Sequence, residues 1–342
     1  MTRMILALLF LVLSSSNLYA QADFYKGKTV RIVVGSTSGG LHDLWARLLA
    51  QYLPKHIAGS PEIIVQNMAG AGGMIAANYI YGVGKADGLT LGLISPALFF
   101  NQIAGRKEVQ FDWAKFSWIG SPEETVDTLV MRSGNSYDTL DEIRKATVPP
   151  KCGATGPGTL SHYLPRLLDE VLGLKFNVIT GYPGAPEIDL ALERGEIHCR
   201  AVTRSAIMGR DPGRAWVKTG FVRLLVVGSE KRDPKAPGVP TIWELMEKDK
   251  TPEIGKRVAT LVLSPTAFGR PFMGGPGMPS DRVKIVRDSF MKTMNDPELL
   301  AEVEKRGWEA SPVRGEKLEA LAREVVTQPP EVINRMNVVL GK

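Results

Sequence analysis

Four histidines and two cysteines are the residues from which metal or nucleophilic chemistry would be built in this 342-residue chain. His42, His56, His162 and His198 show no H-E-x-x-H spacing, and Cys152 and Cys199 make no C-x-x-C pair, so no metal site is expected. There is no G-x-S-x-G nucleophile elbow, and the adjacency of Ser161 and His162 says nothing of a pair in space. Gly35-Ser36-Thr37-Ser38-Gly39-Gly40 has the spacing of a phosphate loop, but Leu41 stands where that loop needs a lysine. Gly70-Ala71-Gly72-Gly73 opens like a dinucleotide fingerprint, but Ile75 occupies the place of its third glycine. Neither a nucleotide nor any other cofactor is expected.

What remains is anion chemistry. Small, hydroxyl-rich loops follow several apolar runs and open helices: the 35–40 and 70–73 loops, Ser95-Pro96-Ala97, Thr155-Gly156-Pro157-Gly158-Thr159, and Tyr182-Pro183-Gly184-Ala185. A helix N-terminus presents unpaired N–H groups and a partial positive charge, which suits a carboxylate or phosphate. Ser36, Thr37, Ser38, Ser95, Thr155 and Thr159 add hydroxyl donors. Asp43, in the first turn after Gly39-Gly40, either complements a helix dipole or faces a ligand; the sequence leaves both open. Arg200 and Arg204 follow a strand, where a guanidinium clamps a carboxylate or serves an ordinary ion pair.

These loops need strands and helices to hold them. Lys28–Gly35 reads as a buried strand, and Leu41–Leu53 as a helix with one apolar face, ended by Pro54. Glu62–Val65 and Leu89–Ser95 read as strands around a helix over 74–83. A strand at Thr125–Arg132 and a short helix over 138–145 follow, and then the β-loop-α pattern restarts. Strands are expected at 151–154, 176–180, 196–203, 221–228 and 258–264, with helices at 160–172 and 186–194. Pro165 is expected to kink or break the first of these. Helices are expected near 280–295, 297–306, 315–326 and 329–338. Such alternation means an α/β protein of mostly parallel sheets flanked by helices. The picture is two similar units, the second inserted into the first, with the C-terminal helices returning to unit one. In open α/β sheets ligands bind beyond the carboxyl ends of strands, so two facing units make a cleft.

Composition agrees with this. With 44% apolar and 23% charged residues the chain is an ordinary globular protein. Its 42 basic and 36 acidic residues are scattered, and Lys231-Arg232 with Lys235 is too short for a nucleic-acid arm. Residues 1–22 read as a secretory signal peptide: Arg3, the apolar run Ile5–Leu13, and Ala20-Gln21-Ala22 as the cleavage site. That run is shorter than the ~20 residues a spanning helix needs. A mature chain starting near Asp23 outside the cytoplasmic membrane is expected. Export permits a disulfide, but the spacing leaves a Cys152–Cys199 bridge and two buried thiols equally open.

Several blocks taken together resemble the extracytoplasmic solute receptors of the tripartite tricarboxylate transporter system, the Bug receptor family. They are Gly39-Gly40-Leu41-His42-Asp43 with Ala46-Arg47 (GGxxDxxAR), Asn67 with Gly70–Gly73 (N-x-x-GAGG), and Ala86-Asp87-Gly88-Leu89-Thr90-Leu91 (A-x-DGYTL). Gly181–Pro186 with Gly195-Glu196-Ile197 and Gly238–Glu244 continue the order. The resemblance implies a two-lobed periplasmic-binding (type II, Venus-flytrap) fold, with residues 23–125 plus 227–342 as lobe 1 and 126–226 as an inserted lobe 2. It implies a non-catalytic, monomeric periplasmic receptor that hands a small organic carboxylate to membrane permease subunits. A sensor presenting its ligand to a membrane kinase is the alternative, and an exported enzyme the remote one. The binding positions carried over are Ser36, Thr37, Ser38, Gly39, Gly40, Asp43, Ala71, Gly72 and Gly73. Lobe 2 adds Thr155, Gly156, Gly158, Thr159 and the Tyr182 loop; Ser95 and Arg200 complete the set. The first loop has hydroxyl residues in place of the family's usual prolines, which suggests a polar or multiply charged end on the ligand; His198 in place of a usual Asp, with Arg200 and Arg204, favours a ligand with no cationic amine. The 270–277 segment, Arg270-Pro271-Phe272 with Gly274–Gly277, is longer than the pattern predicts.

Overall fold

The computed structural model describes residues 24–340; the signal-peptide assignment lies outside them. Two sheets organise the chain. The strands are β1 (Thr29–Val34), β2 (Glu62–Asn67), β3 (Thr90–Leu93), β4 (Ser117–Ser121), β5 (Asp127–Arg132), β6 (Lys151–Gly153), β7 (Asn177–Ile179), β8 (Cys199–Thr203), β9 (Val222–Val227), β10 (Phe272–Gly274) and β11 (Val313–Arg314). The first sheet runs β11-β4-β10-β3-β1-β2 and the second β7-β6-β8-β5-β9. Both are mixed. β1 pairs in parallel with β2 and β3, while β10 and β11 run antiparallel to their neighbours. In the second sheet β6 is parallel to β7 and β8, and β5 is antiparallel to β8 and β9. Cys152 and Cys199 sit opposite each other on β6 and β8 and are joined as a disulfide.

Six helices matter below: α1 (Leu41–Tyr52), α2 (Leu160–Leu172), α3 (Ala185–Glu193), α4 (Ile242–Lys248), α5 (Glu253–Leu263) and α6 (Pro330–Val339). The apolar stripe of α1 buries Leu41, Trp45, Leu48 and Leu49 in one core with Val30, Ile32 and Val34 of β1. Such burial is worth roughly 1.5–3 kcal/mol per large side chain. α2 runs unbroken through Pro165: Leu164, Leu167 and Leu168 are almost wholly buried, and that packing outweighs the lost N–H.

The structure corrects several expectations. Residues 258–264 are not a strand but the end of α5. Val258, Ala259 and Val262 are buried and Thr260 is exposed, a helical spacing that a short apolar run does not reveal. β4, β10 and β11 carried no strand signal. β10, inside the unexplained 270–277 segment, is buried between β3 and β4. The C-terminal helices divide. Those at Ser280–Thr293 and Gly315–Val325 pack on β4, but α5 and α6 pack on each other and, with α4, on α2 of the second sheet. One apolar cluster therefore spans both sheets, from Trp113 and Trp118 through Tyr163 and Leu168 to Val262 and Met336. No described helix is long and apolar enough to cross a membrane.

Candidate functional site

A cavity of about 160 Å³ lies where loops of the two sheets meet. The first sheet contributes Gly35 and Ser36 after β1, Ser95 to Ala97 after β3, and Gly72. The second contributes Thr155, Thr159 and the turn at Pro183 to Ala185. Three helices begin at this cavity. Gly40 is the N-cap of α1, Thr159 of α2 and Gly184 of α3, and none supplies a side-chain cap. Their first residues Leu41, Leu160 and Ala185 line the space. Each first turn thus keeps orphan N–H donors and the positive end of its dipole facing one small volume.

The sheets touch across this cavity. Thr37 Oγ1 donates to Glu187 Oε2 at 3.1 Å, and Asn101 Nδ2 to the Pro157 carbonyl at 3.4 Å. Gly72, at φ +67°, lies so close to the other side that a Cβ there would meet Thr159 Cγ2 at 3.0 Å and the Pro157 oxygen at 3.2 Å. Phe100 packs edge-on against Tyr163 with ring centroids 5.5 Å apart.

Of the residues expected from sequence, the structure brings Ser36, Gly40, Gly72, Ser95, Thr155, Thr159 and Arg200 to the cavity. It does not bring Thr37, Ser38, Gly39, Asp43, Ala71, Gly73, Gly156, Gly158 or Tyr182 to its wall. Thr37 spans to Glu187 instead. Gly73 is pressed against Gly35, Gly156 against Gly72 and Gly158 against Asn101, and Ala71 is turned to solvent. Tyr182 packs beside Gly153.

Asp43 is buried under the first loop. Its carboxylate accepts from the Gly39 N–H at 2.9 Å, Ser38 Oγ at 3.2 Å, Asn67 Nδ2 at 2.9 Å and Arg47. It positions the loop rather than touching the cavity. Burial works to raise its carboxyl, but Arg47, the Gly39 N–H and Asn67 outweigh that and hold it below the usual range. A carboxyl held low in the folded state adds stability above its unfolded value, about 3.9. That stability is lost as pH falls through the folded value. Asp43→Ala should therefore cost about 1–3 kcal/mol in urea unfolding at neutral pH. The gap from wild type should shrink below about pH 4. An unchanged neutral-pH midpoint would refute this role.

Arg200 reaches the cavity wall, but its guanidinium is committed. Nη1 donates to Asp189 and to the Ala185 carbonyl, and Arg210 holds the other Asp189 oxygen. Arg204 is bound to Glu309 and Asp233 at a distance from the cavity. The guanidinium that sequence reasoning missed is Arg270. It is buried on the wall, with Nε on Glu123, Nη1 toward His42 Nδ1 at 3.4 Å, and Nη2 on Thr203 at 2.8 Å and Ser205 at 3.2 Å. The signal was a lone Arg inside the apolar stretch 267–273. His42, Asp127 and Tyr163 were also missed. Burial and the Arg270 charge keep the His42 imidazole neutral, well below its usual value. Burial pushes the Asp127 carboxyl up to about 7, against the Tyr163 hydrogen bond and Arg270. Arg200, Arg210 and Arg270 against Asp189 and Glu123 leave one positive charge on the wall while Asp127 is protonated, and none when it ionises. Among the described residues no group of three His, Cys, Asp or Glu is placed to hold a metal.

Against known proteins, the model of the tripartite tricarboxylate transporter family receptor matches residues 45–338. A Cupriavidus necator protein, described as the UPF0065 protein in the gbd 5' region, is 28% identical over 323 residues, covering 93% of this chain and 90% of its own. Among solved structures, the periplasmic binding protein BugD superposes with a TM-score of 0.72 at 20% identity, over 92% of this chain and 98% of its own. MatC from Rhodopseudomonas palustris, solved with bound malate, gives 0.69 at 21% identity over 92% and 99%. An R. palustris protein solved with adipate gives 0.70 at 20% over 90% and 97%. The structures share the two-lobed fold of periplasmic binding proteins.

Proposed function

The chain belongs to the tripartite tricarboxylate transporter receptor family, and from that premise we propose that it captures a small organic carboxylate between two lobes and delivers it to a membrane permease. The observation that carries this is the convergence of three helix N-termini without side-chain caps, from both sheets, on one cavity. Backbone amides of those turns, with the Ser95 hydroxyl, are the donors for one carboxylate; Ser36, Thr155 and Thr159 line the space, but their hydroxyls donate to the Thr37 carbonyl, Thr159 Oγ1 and the Gly156 carbonyl. The lobes are residues 23–125 with 227–342, and 126–226, with α4, α5 and α6 lying across onto the second. A ligand that touches both lobes binds the closed arrangement better than the open one, which is what couples capture to closure. The cavity of about 160 Å³ suits a compact acid. The malate and adipate held by the two R. palustris proteins are acids of this kind.

The protein acts as a monomer in the periplasm, exported by the 1–22 segment and cleaved near Ala22; the disulfide suits that oxidising compartment. No turnover of the ligand is involved. A thermal-shift screen of the chain from Asp23 should show stabilisation by di- or tricarboxylates and none by nucleotides. The gain is about 2.7 kcal/mol at a hundredfold excess over Kd. A shift with nucleotides alone, or conversion of the bound acid, would overturn the reading.

A further inference from the structure

We propose that Asp127 is a specificity-determining residue of the cleft. As a neutral carboxylic acid it donates its proton to a second carboxylate on the bound ligand, so the receptor takes up a proton together with a diacid. This rests on the carboxylate reading above and deepens it.

Asp127 lines the cavity and is only 2% exposed. Its Oδ2 accepts from the Tyr163 hydroxyl at 2.6 Å. Its Oδ1 has no hydrogen-bond partner among the described residues. The backbone is satisfied separately, since the Gly228 N–H donates to the Asp127 carbonyl at 2.8 Å. Every element packed around the side chain offers it no cationic hydrogen bond. α2 presents Tyr163, a neutral donor. β8 presents Thr203 in register, whose hydroxyl accepts from Arg270. The Arg270 donors go to Glu123, His42, Thr203 and Ser205. Arg200 and Arg210 are held by Asp189. His42 is neutral and acts only through Arg270.

A carboxyl so placed is half protonated near neutrality even before a ligand arrives, because burial raises it to about 7. A second negative charge in the same dry cavity raises it further, since like charges within a few ångströms cannot both stay ionised. The step balances simply. Solvent supplies one proton to the Asp127 carboxylate, and the resulting hydroxyl donates to the ligand oxygen; no other bond is made or broken. A ligand amine in the same place would do the reverse, holding Asp127 ionised and releasing a proton.

The test is calorimetry of the whole mature chain and of Asp127→Asn, across pH, in two buffers of different ionisation enthalpy. The probes are succinate, glutarate and adipate, each against the monocarboxylate of equal chain length. Wild type should take up about half a proton with the best diacid at pH 7, rising toward one a pH unit or more above that, and its affinity should fall by up to about tenfold per pH unit above about 7. The monocarboxylates should show a weaker effect. Asp127→Asn, which keeps a donor and cannot ionise, should bind with an affinity independent of pH. Proton counting on wild type stands even if the variant fails to fold. Proton release, or diacid binding without uptake and flat with pH, would overturn the role of Asp127 alone. Absence of binding by every carboxylate would overturn the carboxylate reading and this inference with it.

Discussion

Gly184→Ala is expected to weaken carboxylate binding ten- to a hundredfold while both sheets stay folded. Gly184 sits at φ −164°, extended backbone that alanine adopts freely, so the substitution brings no local strain. Its main effect is across the cleft. The added Cβ would lie 1.9 Å from Thr37 Oγ1 and 3.1 Å from both Thr37 Cβ and Glu187 Oε2. Rotating the Thr37 side chain relieves only the first contact, so the lobes must part by some tenths of an ångström. Overpacking of this kind costs about 1–3 kcal/mol, and here most of it falls on the closed state, only the Glu187 contact lying within one lobe. Closure is the state that binds, so the loss passes directly into Kd, at a factor of ten per ~1.4 kcal/mol. Titration calorimetry gives the affinity, and an unchanged melting temperature without ligand separates closure from folding. Adding Thr37→Gly should restore binding. Wild-type affinity in Gly184→Ala would mean that this contact is not made when ligand is held.

The second large effect falls on stability. Replacing both Cys152 and Cys199 by alanine should cost about 4 kcal/mol on the chain-entropy account for a loop of this length. The two residues are 47 apart in sequence and fully buried on adjacent strands. The melting temperature should drop by about 6 °C. Thiol titration of the unfolded, unreduced wild type should find no free sulfhydryl. Coincident melting curves, or two free thiols, would refute the bridge.

The elements that build the cavity were the most legible part of the chain. A β-branched run, then glycine, then apolar residues at helical spacing locates the starts of α1, α2 and α3 to within a residue, because strand exit and helix entry are local events. Strands such as β10 were not legible. Its three residues are defined by the backbones of β3 and β4 on either side, not by their own pattern. The polar wall was hidden for the same reason. Arg270 meets Glu123 and His42 across 147 and 228 residues of sequence, and nothing local marks it as buried. Arg200 erred in the opposite direction. It lies within β8 and not after a strand, and its partner Asp189, on α3, takes up the charge that a ligand would otherwise meet. Asp43 was readable as important and ambiguous in kind. Its four donors resolve it as the brace of the loop that leads into α1.

The crossing of α4, α5 and α6 onto α2 bears on how such receptors can be re-engineered. Chain order suggests cutting at residues 126 and 226 and trading the central piece between relatives. That cut would leave Leu167, Leu168 and Val171 facing helices evolved for another partner, and would break the Thr251 hydroxyl's bond to the Val171 carbonyl. A working chimera has to carry residues 242–263 and 330–339 along with the central piece. The unit that recombines is defined by the shared apolar cluster, not by the order in which the chain is written.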